Sequence, residues 1–324
     1  MLSRVADSLY WLGRYIERTE NYARFIRVNT NLSLDLPPGV KEQWEPLVTT
    51  TGDKDVFDRI HKSYTRQNVM HFLTFDRAYE NSIIRSIEKA RENARIIRES
   101  ISKEAWETLN DLHYFVNKVE KRAIWKKDNP NDFFQTILDK VHILYGLAYH
   151  TESRTEGWYF NKLGQYVERA DKTSRILDVK YHILLPSIEE VGSPIDFIHW
   201  AALLKSVDSF NAFKHVYGNI SPESVLEFLM LNKYFPRSIF FSLLHAEFCL
   251  HEITGNASGY SNISEQSLGA LRSEVEFTDI KQIIDFGVHE YIDQLQMKIN
   301  KFSETLSNQY FQIQPNFVVQ TYEE

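Results

Sequence analysis

The chain has 324 residues, 43% of them hydrophobic and 14% aromatic, enough for a large core and too much apolar material for a disordered polypeptide. Its formal net charge is −7, and Arg and Lys alternate with Glu and Asp on the same segments, so no basic stripe marks a nucleic-acid-binding face. A single cysteine, Cys249, excludes a disulfide framework, and no apolar run approaches the roughly 20 residues that span a bilayer.

These totals point to a reducing, cytoplasmic, bacterial-type protein with no membrane and no nucleic acid among its partners. The opening Met1–Asp7 supports this, since it enters a helical pattern at once and lacks a signal-peptide core. Only 12 Gly and 9 Pro punctuate the length, which favours long helices over sheets.

In chain order, Val5, Leu9, Leu12, Ile16, Thr19, Ala23 and Ile26 form a heptad seam, which predicts a first long helix. An irregular stretch at about 31–53 follows. Ile83, Ile87, Ala90, Ala94, Ile97 and Ile101 predict the next seam, Ser102 opens a helix through Leu109 to Val119, and Asn131 opens one through Ala148. Phe160, Leu163, Val167, Ala170, Ser174 and Leu177 predict another long seam, extended by Tyr181 and Leu184. Ser193-Pro194 and Ser221-Pro222 place Ser at a cap and Pro at the first helical position, and Phe235 to Ser238 starts a helix reaching about Ile253. A second irregular stretch is expected at 255–278, then one long helix from Asp279 to Tyr310. With no strand and no linker, the expectation is an all-α, multi-helix bundle or array in one domain over 1–324, with pseudo-repeats beginning near residues 3 and 154.

The repeat is explicit. Leu12-Gly13-Arg14-Tyr15-Ile16-Glu17-Arg18 is echoed by Leu163-Gly164-Gln165-Tyr166-Val167-Glu168-Arg169, and Arg24 by Arg175. Glu88 and Arg95 occupy the same seam phase in the third helix. In all three, small residues narrow the seam (Thr19/Ala23, Ala90/Ala94, Ala170/Ser174), and Glu and Arg lie seven residues apart on a line about 130° from the seam. Gly13 and Gly164, each costing roughly 1 kcal/mol against Ala inside a helix, signal a close approach.

Two chemistries fit the charges. One is an ion-pair network, with Glu20→Arg24 and Asp171→Arg175 as favourable four-residue pairs. The other is a pocket in which Arg forks bind a carboxylate or phosphate and Glu17 or Glu168 serves as acid or base. Arg237, in the first turn after Pro236, either presents a helix N-terminus to an anion or packs at the cap. His245, Cys249 and Glu252 share a helix face, but Cys249 sits in an apolar run and no paired Glu-x-x-His motif accompanies them, so no metal ligand is assigned. No Walker loop, dinucleotide turn or nucleophile elbow is present, and no cofactor is assigned.

Met1 through Asn21, Ala90-Arg91-Glu92-Asn93-Ala94-Arg95, Gly164 through Arg169 and Pro236-Arg237-Ser238 together resemble the alpha-E family of bacterial helical proteins, named for a recurrent Glu-Arg motif. The likeness runs over nearly the whole chain, with Gln165 in place of the second repeat's first Arg. It implies a helical protein found beside, or fused to, circularly permuted ATP-grasp ligases and transglutaminase-like peptidases. The resulting expectation is a non-catalytic accessory protein that partners such a ligase in making or modifying peptides through amide bonds. It would hold a peptide or acidic substrate at Arg14, Arg18, Arg24, Glu88, Arg95, Arg169, Arg175 and Arg237. The alternatives are an enzyme of amide-bond chemistry using Glu17 or Glu168, and a purely structural ion-pair motif.

Overall fold

The computed structural model describes residues 1–35, 43–122, 130–183, 194–256 and 259–312. Among these every regular element is helical. The first half carries α1 (Ser3–Asp35), α2 (Glu45–Thr49), α3 (Lys54–Ile60), α4 (Arg66–Thr74), α5 (Ile83–Ile96), α6 (Lys103–Arg122) and α7 (Pro130–Thr151). The second carries α8 (Glu156–Ile183), α9 (Pro194–Ser206), α10 (Phe210–Tyr217), α11 (Pro222–Leu231), α12 (Ile239–Thr254), α13 (Ile263–Phe277), α14 (Ile280–Phe286) and α15 (Val288–Leu306).

Local chemistry sets many of the ends. The Ser82, Ser221 and Ser238 hydroxyls accept from the backbone N–H three residues on, and Ser221 and Ser224 form a reciprocal capping box. Gly255, at φ 70°, closes α12 in the left-handed region.

Four expectations are corrected. The stretch at about 31–53 is not irregular throughout, since α1 runs to Asp35 and α2 occupies Glu45–Thr49. The seam of α5 was expected to reach Ile101 but stops at Ile96, where a 3₁₀ turn over Arg98–Ser100 takes over. The stretch at 255–278 was expected to be irregular, yet Asn262 caps a full helix from Ile263, so the Gly- and Ser-rich composition marks only its approach. The last long helix is two, because Gly287 at φ 109° interrupts the ladder between α14 and α15, and a π turn follows at Ser307–Phe311. Ser193 and Leu184 lie outside the described residues.

The halves answer each other element by element. α5 and α7 pack on α1 as α12 and α15 pack on α8, and α1 crosses α8. Beyond the long helices, one constant offset matches Trp44 with Trp200, Phe57 with Phe213, Phe72 with Phe228 and Ser82 with Ser238, and all eight are buried. The turn into the fifth helix is duplicated too: Asp76 Oδ1 accepts from Ala78 N–H at 2.9 Å, and Asn232 Oδ1 from Tyr234 N–H at 2.8 Å. One contiguous apolar core joins the two halves, from Ala6 in α1 to Leu306 in α15. No helix among the described residues is long and apolar enough to cross a membrane.

Candidate functional site, a buried Glu/Arg layer at the helix crossing

The site begins with what two glycines permit. A Cβ on Gly13 would run into the Asn161 carbonyl oxygen, with its carbon and Gln165 N at 3.1 Å. A Cβ on Gly164 would run into the Tyr10 carbonyl oxygen, with its carbon at 2.9 Å. The obstacles are backbone on both sides, so α1 and α8 touch main chain to main chain. Thr19, Ala23, Ala170 and Ser174 keep the seam narrow beyond that point and are fully buried.

At this separation each motif Glu reaches the other helix. Arg169 donates from Nε to Glu17 Oε1 at 2.9 Å and from Nη2 to Oε2 at 2.8 Å. Arg18 donates from Nε to Glu168 Oε1 at 2.6 Å and from Nη2 to Oε2 at 3.0 Å. Each repeat's Glu is thus gripped by the Arg that follows the other repeat's Glu, as two crossed, two-pronged pairs.

Further partners complete each carboxylate. Glu17 also accepts from Arg237 Nη1 at 3.2 Å, Tyr145 Oη at 2.8 Å and Gln165 Nε2 at 3.3 Å. Glu168 also accepts from Arg14 Nε at 2.8 Å, with Lys172 Nζ at 3.7 Å. Glu20 bonds Arg24 and Arg237, with His142 Nε2 at 3.3 Å, while Asp171 holds Arg175 Nε at 2.9 Å and Lys172 Nζ at 3.0 Å. On the Glu168 side, Arg18 Nη1 donates to Asn81 Oδ1 at 2.6 Å, and Asn81 and Tyr79 both donate to Asp53 Oδ2.

Glu17 and Glu168 have no exposed surface. Burial alone would raise both carboxyls, but Arg169 and Arg237 hold Glu17 below its ordinary value, and Arg18 and Arg14 hold Glu168 well below it. Burial likewise opposes ionisation of Glu20 and Asp171, and their cations outweigh it. A carboxyl whose folded pKa is depressed contributes stability above its unfolded value that is lost as pH falls through the folded one. Thermal unfolding followed from pH 7 to pH 3 should therefore show a steep loss of stability beginning near 4.5, the ordinary Glu value. A melting temperature flat over that range would count against a fully ionised layer. Lys162 borders the layer, donating to Gln165 Oε1 at 2.9 Å, and burial pulls its ammonium down to about 8.

Of the ten residues singled out in the sequence, Arg14, Glu17, Arg18, Arg24, Glu168, Arg169, Arg175 and Arg237 come together here. Glu88 and Arg95 do not. Glu88 pairs with Arg77 and Arg85 on the outer side of α5, and the Arg95 side chain is 68% exposed beside Glu92. Ala90 and Ala94 are fully buried, so α5 shares the narrow seam but turns its charged line outward. His245 stacks on Tyr166 and lies tilted against Phe241, and burial pushes the Cys249 thiol up to about 12. Tyr145, His142, Lys172, Asn81 and Asp53 join the layer without being site candidates from the sequence; Lys172 stands four residues after Glu168, and the Asp139-x-x-His142 spacing points to a metal motif, not to Glu20.

Fold and layer define an all-helical protein built around two crossed helices that exchange Glu–Arg pairs. The chain matches, over residues 1–311, the Alpha-E family, described as a predicted alpha-helical domain with a conserved ER motif. It belongs to that family. Among curated proteins it is similar to uncharacterised proteins of Mycobacterium bovis and Mycobacterium tuberculosis, 23% identical over 279 residues, covering 78% of this chain and 30% of theirs. The chain therefore spans under a third of the length of these relatives. No solved structure matches it.

Proposed function

We propose that the chain is a cytoplasmic, non-catalytic accessory protein that docks onto a circularly permuted ATP-grasp-type ligase acting in peptide or amide-bond synthesis. A transglutaminase-like peptidase is the second candidate partner. One observation carries the non-catalytic part of this reading. All four oxygens of Glu17 and Glu168 already accept from arginine, and neither side chain has exposed surface, which supports a structural over a catalytic role for the motif. The same saturation argues against an acidic substrate on Arg14, Arg18 or Arg169, each less than a tenth exposed. The layer then serves as a lock that holds the two halves in register.

Two further observations support docking. The matched relatives are more than three times as long as the part that aligns, so there the helical unit sits within a larger chain. On the outside, Leu244 and Phe248 stand one turn apart on α12, 37% and 52% exposed, and line a groove with Tyr260, Glu247, His251 and Arg272. Affinity capture of the purified ligase from the same organism should succeed with the intact chain. It should weaken by about tenfold or more with Leu244→Glu/Phe248→Glu, the scale of losing a binding hot spot, and be unchanged by Arg95→Glu. No capture by the intact chain would overturn the partnership, and undiminished capture by the double variant would move the docking face elsewhere.

A further inference from the structure

Apart from the Glu/Arg layer, the first half gathers three side chains that the layer does not use. His61 caps the C-terminus of α3, His71 lies in the last turn of α4, and the chain leaving α4 folds back so that Asp76 N–H bonds the His71 carbonyl at 3.0 Å. Two imidazole nitrogens and a carboxylate oxygen, one from each residue, lie within 4.8 Å of one another. Among the described residues no other group of three His, Cys, Asp or Glu side chains meets that condition.

The arrangement has the features of a ligand set. His61 Nε2 stands 3.4 Å from Asp76 Oδ2 and, though buried, makes no hydrogen bond. Two ligands of a tetrahedral ion with bonds of about 2.0–2.2 Å are separated by about 3.4 Å. The carboxylate is fixed from behind, since its Oδ1 accepts the Ala78 N–H and Oδ2 is left facing the imidazole. Phe57 and Phe72 wall the His61 ring at 5.0 and 6.2 Å between centroids. The His61 side chain keeps 15% of its surface exposed, so the cluster lies close to the protein surface.

The internal repeat supplies a control within the molecule. At the offset that matches Phe57 with Phe213, the counterparts of His61, His71 and Asp76 are Tyr217, Glu227 and Asn232. There Tyr217 bonds the Glu227 side chain, and Asn232 accepts the bond that corresponds to the Ala78 N–H on Asp76, and a second from Phe235 N–H. The corner therefore folds with no imidazole and no ionised residue at the cap. Both histidines and the charged oxygen of Asp76 exceed what packing requires.

We propose that His61, His71 and Asp76 bind one divalent first-row transition ion, zinc foremost, through two imidazole nitrogens and one carboxylate oxygen. Nitrogen donors disfavour calcium and magnesium, and the absence of thiolate in the set disfavours copper(I). Three protein ligands leave a fourth position for water, and the ion ties the end of α3 to α4 and its exit turn.

The test uses the full chain, stripped with a chelator and titrated with zinc chloride and, separately, with cobalt(II). One equivalent of zinc should bind and raise the melting temperature, and cobalt should give the visible absorption of a tetrahedral site. His61→Tyr/His71→Glu/Asp76→Asn, which writes the second half's residues into the first, should retain the helical circular dichroism and lose both signals, with affinity down about 100-fold or more. His71→Gln gives a milder second variant with the same expected direction. Absence of zinc binding by the intact chain, or equal binding by both variants, overturns the site.

Discussion

Glu17→Ala is expected to lower folding stability by about 3–5 kcal/mol, the cost of leaving a buried partner charge uncompensated. Arg169 and Arg237 both point at the Glu17 carboxylate, each no more than about a tenth exposed, and the Tyr145 hydroxyl donates to it from α7. Removing the acid strands the Arg169 guanidinium and the Tyr145 hydroxyl where water cannot replace it, and leaves Arg237 to Glu20. A domain of ordinary stability has only about 5–15 kcal/mol in total, so the variant should stand at the edge of folding. Arg95→Ala, with its mostly exposed side chain, should stay within about 0.5 kcal/mol of the parent. Urea unfolding of the two variants separates the cases, and a loss below about 1 kcal/mol for Glu17→Ala would be inconsistent with a buried lock.

The second large effect is expected at the crossing. Gly→Ala inside a helix ordinarily gains up to about 1 kcal/mol, yet Gly13→Ala and Gly164→Ala should each cost about 1–3 kcal/mol or more. The new methyl meets main-chain carbonyls of the facing helix, which have no rotamer to escape into, so the helices must part. Parting also lengthens the crossed Glu–Arg bonds one turn away. Because one separation relieves both clashes, the double variant should cost less than the sum of the singles. Gly146, inside α7, provides the contrast: a Cβ there meets nothing within 4 Å, so Gly146→Ala should stabilise by about 0.5–1 kcal/mol. Equal effects at all three positions in thermal or urea unfolding would contradict the main-chain crossing.

Much of the helix order is legible locally. The seams of α1, α5 and α8 follow from apolar spacing, and Ser102 and Ser221 announce the helices they cap because a capping bond spans only three residues. The helix expected to start at Phe235-Pro236 instead starts at Ile239, capped by Ser238, with Arg237 before it. The break at Gly287 is not legible in the sequence, because one glycine inside an apolar period reads as tolerated, and only its φ of 109° shows it.

The charges divide in the same way. Glu20–Arg24 and Asp171–Arg175 form as four-residue spacing expects. The partners of Glu17 and Glu168 were not legible, because the choice of Arg169 and Arg18 depends on the backbone approach at the two glycines. Spacing places a charge on a line along its helix but does not say which way the line faces. That is why Glu88 and Arg95 share the period of the motif and none of its burial. Tyr145 and His142 from α7, and Asn81 and Asp53 from turns, enter by tertiary position alone.

A double-mutant cycle on Glu17 and Arg169 bears most directly on whether the layer is an internal lock. Urea unfolding would be measured for the parent, Glu17→Ala, Arg169→Ala and the pair together. A lock requires a coupling of about 2 kcal/mol or more, with the double variant more stable than the two single losses add up to. Additivity to within about 0.5 kcal/mol would mean that the two side chains act independently. Glu17 would then be free for chemistry of its own, and the reading of the motif as structure would fail.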